Sequence, residues 1–325
     1  MAALQIAARC GDLAYNLNHV RELADDAARQ GAKIIAVPEF FTTTIVLDEK
    51  DRVRDCVLPP DNPALDLLKE IADKYKVIIG GSYLENRNGD VFNCYALVRP
   101  DGTVTRHDKD LPTMIENAFY IGGKTTGIHQ TNMGRIGTAV CWELIRTQTV
   151  KRLKGKVDFL MTGTHWWTVA TNWWTIFKPI IDKWYSDNLA LIQSTPSTFS
   201  KLLGTANIHA SHCGTLTGKF RLLPWDLLDL PYETDLLGET QIVDNEGQII
   251  ARLAKEDGPG VLIAEIDLTA KKPSMVLPDR FWIPELSQPF KQFWAHQNAV
   301  GKPLYNQAKK SVKLNVDNTT IPHAE

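Results

Sequence analysis

Up to residue 84 the chain alternates between two hydrophobic periodicities, and this alternation limits its fold more than any other feature. Short apolar segments of β type lie at Leu4–Arg9 and Lys33–Val37. Between them, Asn16–Gln30 places leucine, valine and alanine at helical spacing, with Asn16 as the expected cap and Gly31 as the stop. Strand, helix and strand in that order form a βαβ unit. A second helix is predicted over Asn62–Lys76, with Pro63 near its first turn, and a strand follows at Val77–Leu84.

Hairpins then take over. Val91–Val98 and Val104–His107 flank the turn sequence Pro100-Asp101-Gly102. A strand pair around Gly127–Gly137 turns at Asn132-Met133-Gly134, and the apolar run Ile136–Val140 leads into Cys141. Thr147–Leu153 reads as a helix ending at Gly155, Val157–Thr162 as a strand, and the Trp-rich Asn172–Ile192 as a helix. Further strands are expected at Asn207–His212, Thr240–Val243, Ile249–Leu253 and Val261–Ile266, the middle two joined by Asp244-Asn245-Glu246-Gly247. Early alternation and later hairpins give an α/β chain whose mixed sheet, or pair of sheets, is covered by helices. From about Pro284 the sequence turns polar and rich in Asn and Lys. Residues 1–283 therefore read as one domain and 284–325 as an extension, either a docking arm or partly disordered.

Composition narrows the class. Apolar content of 44% and charged content of 23% are ordinary for a globular chain, and a net charge of −2 gives no electrostatic reason for nucleic acid or a membrane as partner. No uninterrupted apolar run reaches the roughly 18 residues of a spanning helix, and the N-terminal residues lack a secretory pattern. Five cysteines without a CxxC pair fit reduced thiols, so a cytoplasmic location is expected. His209, His212 and Cys213 lie close together, but no second cluster completes a tetrahedral set, and no metal is expected.

Three groups that could do chemistry each follow a predicted strand. Cys141 sits after an apolar strand and just before a turn, where open α/β sheets place reactive groups. Its ordinary fate is that of a small buried hydrophobe. A thiol nucleophile must lose its proton and needs positive charge or N–H donors where an oxyanion develops. None of the eight histidines stands in a context that singles it out as the base. Glu39, in Val37-Pro38-Glu39-Phe40-Phe41, has apolar bulk on both sides, which raises a carboxyl pKa toward neutrality and makes it a usable base and acid. Lys109 closes the strand Val104–Asp108, the second strand of the first hairpin, and Glu116 follows seven residues later, either holding the ammonium or solvated.

These words and their order resemble the nitrilase, or carbon–nitrogen hydrolase, superfamily. The matching segments are VPEFF at Glu39, RPDGTVTRHDKDLPT into Lys109 and GRIGTAVCWE into Cys141, with NCYALV and GETQIVDNEGQIIA in support, over roughly residues 3–268. The resemblance implies an αββα sandwich, two mixed β-sheets flanked by helices. It carries a catalytic Glu–Lys–Cys triad onto Glu39, Lys109 and Cys141, and a second glutamate onto Glu116. It also implies no metal or organic cofactor, and pairing into a homodimer or higher homo-oligomer. The implied activity is hydrolysis of a small nitrile or amide by water, through a covalent thioimidate or thioester, giving a carboxylic acid and ammonia.

The substrate is divided between readings. Cys141-Trp142-Glu143 is closer to true nitrilases than to many amidase or carbamoylase branches, whereas Leu144 and the segment after it depart from the nitrilase pattern. An amidase or carbamoylase acting on small carboxamides is the alternative, and a non-catalytic superfamily member a more distant one. Arg146 is available for a substrate carboxylate, though not where a carbamoylase would place it. Trp142, His165 and Trp166 are candidate substrate contacts; with Trp167, Trp173 and Trp174 they would wall a pocket for an apolar or aromatic substrate, or pack a core or interface.

Overall fold

The computed structural model describes residues 1–46, 49–173, 178–223, 228–279 and 288–317. The first βαβ unit is β1 (Ala2–Ile6), α1 (Leu13–Arg29) and β2 (Ile34–Ala36). Its first strand stops at Ile6 rather than Arg9, and its helix begins before Asn16. Asp12 is the N-cap, accepting from the Tyr15 N–H at 3.1 Å. Asn16 is buried inside the helix and ties two loops together: its carboxamide accepts from Arg9 N and donates to Arg9 O and Thr42 O. Both residue types cap well, and the one four positions earlier took the role. After a short α2 (Lys50–Asp55), α3 (Pro63–Tyr75) has the expected ends, with Asn62 accepting from Leu65 N at 2.9 Å and Lys76 left-handed as its C-cap.

β3 (Ile78–Arg87), β4 (Asp90–Val98) and β5 (Val104–Asp108) form an antiparallel meander. β6 (Ile128–Thr131) and β7 (Gly134–Val140) form the next hairpin, followed by α4 (Thr147–Leu153) and β8 (Phe159–Thr164). The described part of the Trp-rich helix, α5, runs Lys178–Leu203, eleven residues past its expected end. Its expected start falls partly on residues 174–177, outside the described residues. The last third departs most from expectation: instead of short strands, β9 (Ala206–Leu223) and β10 (Leu228–Val243) pair along their length as a ribbon. Gly214, Gly218 and Pro231 interrupt strand patterning there, but continuous pairing between the strands overrides it. β11 (Ile249–Ala254) and β12 (Gly260–Ile263) complete the sheet, and residues 288–317 of the tail form α6 (Gln288–Asp317).

Strand order is β5-β4-β3-β2-β1-β9-β8-β7-β6, with β1 parallel to both β2 and β9. The two halves face each other. Ile34, Ala36, Ile78 and Leu97 of one half pack in a single core with Ile136, Phe159, Met161 and Ile208 of the other. Alternate residues of the first half, Ile35, Val37 and Ile79, pack outward with Val20 and Ala24 of α1 and Leu65, Leu68 and Ile71 of α3. Outward residues Ala139 and Leu160 of the second half meet Val150 and Leu153 of α4 and Phe199 and Leu202 of α5. This is the αββα sandwich, produced by the two-residue alternation of buried strands.

Direction places the site. β2, β7 and β8 belong to the parallel set, and β5 runs the same way because it is antiparallel to β4, itself antiparallel to β3. Their carboxyl ends therefore open on one rim, with Glu39, Lys109, Cys141 and His165 just beyond them.

Candidate active site

Glu39, Lys109, Glu116 and Cys141 are all buried, and three of them form a continuous ion chain. Lys109 Nζ donates to Glu39 Oε1 at 2.9 Å and to Glu116 Oε2 at 2.8 Å. Glu39 also accepts from Asn93 Nδ2 at 2.8 Å and, on its other oxygen, from the His165 N–H at 2.8 Å. Glu116 Oε2 takes further hydrogen bonds from Thr113 N and Tyr120 Oη, while its Oε1 is buried without a hydrogen-bond partner.

Burial sets the proton balance. It pushes Glu39 up to about 7, with Lys109 pulling against it. Burial alone would lower Lys109, but the Glu116 and Glu39 carboxylates outweigh it and hold the ammonium well above its ordinary value. The Cys141 thiol is pushed well up by burial and then by the Glu39 carboxylate. At rest the site therefore holds a protonated thiol beside a carboxyl poised near neutrality.

The backbone at these groups is unusual. Phe40, Met114 and Cys141 are non-glycine residues with left-handed φ of 49°, 53° and 53°, each within two positions of, or at, a site residue. Such conformations cost on the order of 1–3 kcal/mol and persist where surrounding structure imposes them. At Cys141 the turn from β7 into the short 3-10 helix Cys141–Ile145 does so. Behind Glu39 the space is closed by Gly163 of β8, where a Cβ would lie 2.8 Å from the Glu39 nitrogen.

A cavity of about 340 Å³ opens from Cys141. Trp142, His165 and Trp166 all line it, as do Trp167, Trp173 and Glu116. Trp174 lies outside the described residues. The Trp166 indole is buried and donates to Asn188 Oδ1 at 2.9 Å. Both ring nitrogens of His165 are buried without a partner, and burial holds its pKa well below the ordinary value, so the ring is neutral. Arg146 pairs with Asp110. Among the described residues no group of His, Cys, Asp or Glu is arranged to hold a metal ion; His209 bonds Thr162 and Thr164, and His212 donates to the Glu39 carbonyl.

Residues 1–177, more than half of the chain, match the family model of carbon–nitrogen hydrolases. The chain belongs to the carbon–nitrogen hydrolase family. It is 29% identical over 157 residues to an omega-amidase of Yersinia enterocolitica, covering 48% of this chain and 58% of that one. It is 28% identical over 160 residues to a bifunctional nitrilase/nitrile hydratase of Lupinus angustifolius, covering 42% and 45%. The chain thus spans about half the length of the relatives it matches. Among solved structures, a carbon–nitrogen hydrolase of Helicobacter pylori superposes with a TM-score of 0.62 at 18% identity, covering 82% of this chain and 88% of that one. An amidase of Nesterenkonia, bearing acrylamide on its active-site cysteine, gives 0.59 at 18% identity, covering 86% and 95%.

In this carbon–nitrogen hydrolase two features went unread in the sequence. The first is the role of Glu143, which the sequence presents only as the third member of the Cys141-Trp142-Glu143 triplet. Its fully buried carboxylate accepts from Val140 N, just before Cys141, at 2.8 Å, and from Asp110 N, just after Lys109, at 3.2 Å. His107 and Arg152 complete its shell. Burial opposes its charge, but the His107 imidazole and the Arg152 guanidinium outweigh this and hold the carboxyl well below its ordinary range. Glu143 is a brace between the lysine and cysteine segments. The second is α6, whose Gln292 and His296 line the cavity and whose Trp294 stacks on Trp142 with centroids 5.2 Å apart. The polar composition of the tail concealed it.

Proposed function

We propose that the chain hydrolyses a small primary carboxamide to a carboxylic acid and ammonia. The observation that carries this reading is a buried ammonium held between two carboxylates beside a buried thiol. Glu39 removes the Cys141 proton, and Sγ attacks the amide carbon. Lys109 Nζ and the Trp142 N–H hold the oxyanion. Glu39 returns its proton to the leaving nitrogen as the C–N bond breaks, leaving a thioester and ammonia. It then takes a proton from water, whose oxygen attacks the thioester and releases the acid and the thiol. Glu116 holds Lys109 in place.

Glu116 Oε1 favours the amide. It is a buried acceptor without a partner in the cavity wall, and a carboxamide brings N–H donors to it, whereas a nitrile brings none. The nitrile reading keeps the support of the Cys141-Trp142-Glu143 triplet and of the lupin relative, and would proceed through a thioimidate on the same sulfur. Neutral His165 is suited to contact the polar end of either substrate. The five free cysteines support a reducing, cytoplasm-like compartment. A hydrolase domain of residues 1–283 with an extension at 284–325, whose Gln292 and His296 line the cavity, assembled as a homo-oligomer, belongs to the same reading.

Cys141→Ala is expected to abolish ammonia release from carboxamides and nitriles while its circular dichroism stays native. Intact-mass measurement of the wild type should show an acyl adduct on Cys141 during turnover. Substantial ammonia release by the folded variant overturns the assignment.

A further inference from the structure

We infer that the acyl group this site accepts is uncharged and carries a single flat aromatic ring, and that α6 helps select it. The inference rests on the proposed C–N hydrolysis and adds the substrate class. Three observations carry it.

The first is how the cavity walls are finished. Trp166 and Trp173 spend their indole N–H groups on protein acceptors, Asn188 Oδ1 in the cavity lining and Pro231 O, at 2.7 Å, near the surface. Their donors are thus already paired, and the rings offer the cavity mainly apolar surface. Trp142, Trp184 and Tyr232 add three more aromatic side chains to the same lining. A volume of about 340 Å³ lies at the small end for ligand pockets and accommodates a flat ring with its acyl group.

The second is charge. The reacting end holds Glu39 and Glu116 against one ammonium, Lys109. A carboxylate elsewhere on the substrate would be stripped of water in a cavity with no lysine or arginine among its described lining residues. Arg146, the nearest candidate counter-charge in the sequence, is committed to Asp110. A substrate ammonium would meet aromatic faces, but cation–π attraction repays only part of its dehydration, and Lys109 already holds the carboxylates.

The third is α6. Trp294 lies face to face with Trp142, the residue after Cys141, at an interplanar angle of 21°, and Trp142 in turn contacts Trp166 at 5.8 Å. His296 stacks on Phe220, with an interplanar angle of 16°. The helix therefore lines one side of the cavity and buttresses its aromatic wall, and its removal from Trp142 should loosen the fit of a flat substrate more than that of a short aliphatic one.

The test is steady-state ammonia release by the full chain on benzamide, 2-phenylacetamide, propionamide, succinamate and N-carbamoylputrescine. The better aromatic amide is expected to exceed succinamate and N-carbamoylputrescine by roughly 100-fold or more in kcat/KM, the discrimination that burying an unpaired charge provides. In Trp294→Ala the ratio of aromatic amide to propionamide should fall by about tenfold, mostly through KM, as for one lost hydrophobic contact. Preference for succinamate or N-carbamoylputrescine, or an unchanged ratio in Trp294→Ala, overturns the inference and leaves C–N hydrolysis standing. If no compound releases ammonia and acrylamide gives no mass adduct on Cys141, the underlying reading fails and the inference falls with it.

Discussion

Glu39 is a carboxyl whose burial gives it a proton affinity near that of the surrounding solution, and this has consequences for both rate and stability. Its raised value of about 7, against an ordinary 4.5, means that the folded chain binds the proton more tightly than the unfolded chain. That contribution to stability is fully present below pH 4.5 and is lost as pH rises through 7. The Glu39→Gln variant should therefore show a flatter stability profile across this window in urea titrations, and no turnover. In the wild type, kcat/KM for a carboxamide should rise to a plateau above about pH 7, an apparent value belonging to the Glu39–Lys109–Glu116 cluster as a whole. Glu143 offers the opposite case, a carboxylate kept ionised at depth. Glu143→Ala removes one member of a buried charged set and should cost roughly 3–5 kcal/mol in chemical denaturation. Glu143→Gln keeps an acceptor for the Val140 and Asp110 N–H groups, so it should recover part of the stability and part of kcat, with KM changing less. Equal loss of kcat in both variants would remove the bracing role. Glu39, Lys109 and Cys141 could be read from sequence because each directly or closely follows a strand within a recognisable word. The role of Glu143 could not, because its partners at positions 107, 110, 140 and 152 meet only after two strands and a helix are in place.

At the scale of elements, α6 and the turn bearing Glu116 act as one unit. Gly301 of α6 lies so close that a Cβ there would sit 3.2 Å from Ala118 N and from Asn117 Cβ. Farther along, Tyr305 Oη accepts from Val91 N at 3.2 Å and donates to Asp90 at 3.0 Å, fixing the helix to the start of β4. Gly301→Leu should lift α6 from the turn and lower kcat/KM for the preferred amide on the order of 10- to 100-fold, the penalty for small misplacement near a reacting centre. A crystal structure of that variant with α6 and Glu116 unmoved would contradict this coupling. Strand and helix identities through α4, the short α2 apart, were legible because apolar period and turn residues agreed there. The β9–β10 ribbon was not, since its order comes from long-range pairing rather than local pattern. α6 escaped for a related reason: its partners lie nearly two hundred residues back, as the Asn117–Asn298 hydrogen bond illustrates.

For the molecule as a whole, the sandwich divides the site between its halves. Glu39 and Lys109 follow strands of one half, and Cys141 and His165 follow strands of the other, and the strand ladder passes between the halves where β1 lies beside β9. Neither half alone holds both base and nucleophile. Closure of the halves depends on contacts between residues far apart in sequence, which are slow to form in any folding chain. During refolding from urea, far-UV circular dichroism should therefore recover before ammonia release does, whereas identical time courses would mean that the sheet and its closure form in one step. On the proposed function, ammonia release is a clock for closure of the sandwich, because a newly synthesised copy brings base and nucleophile together only when its two halves have met.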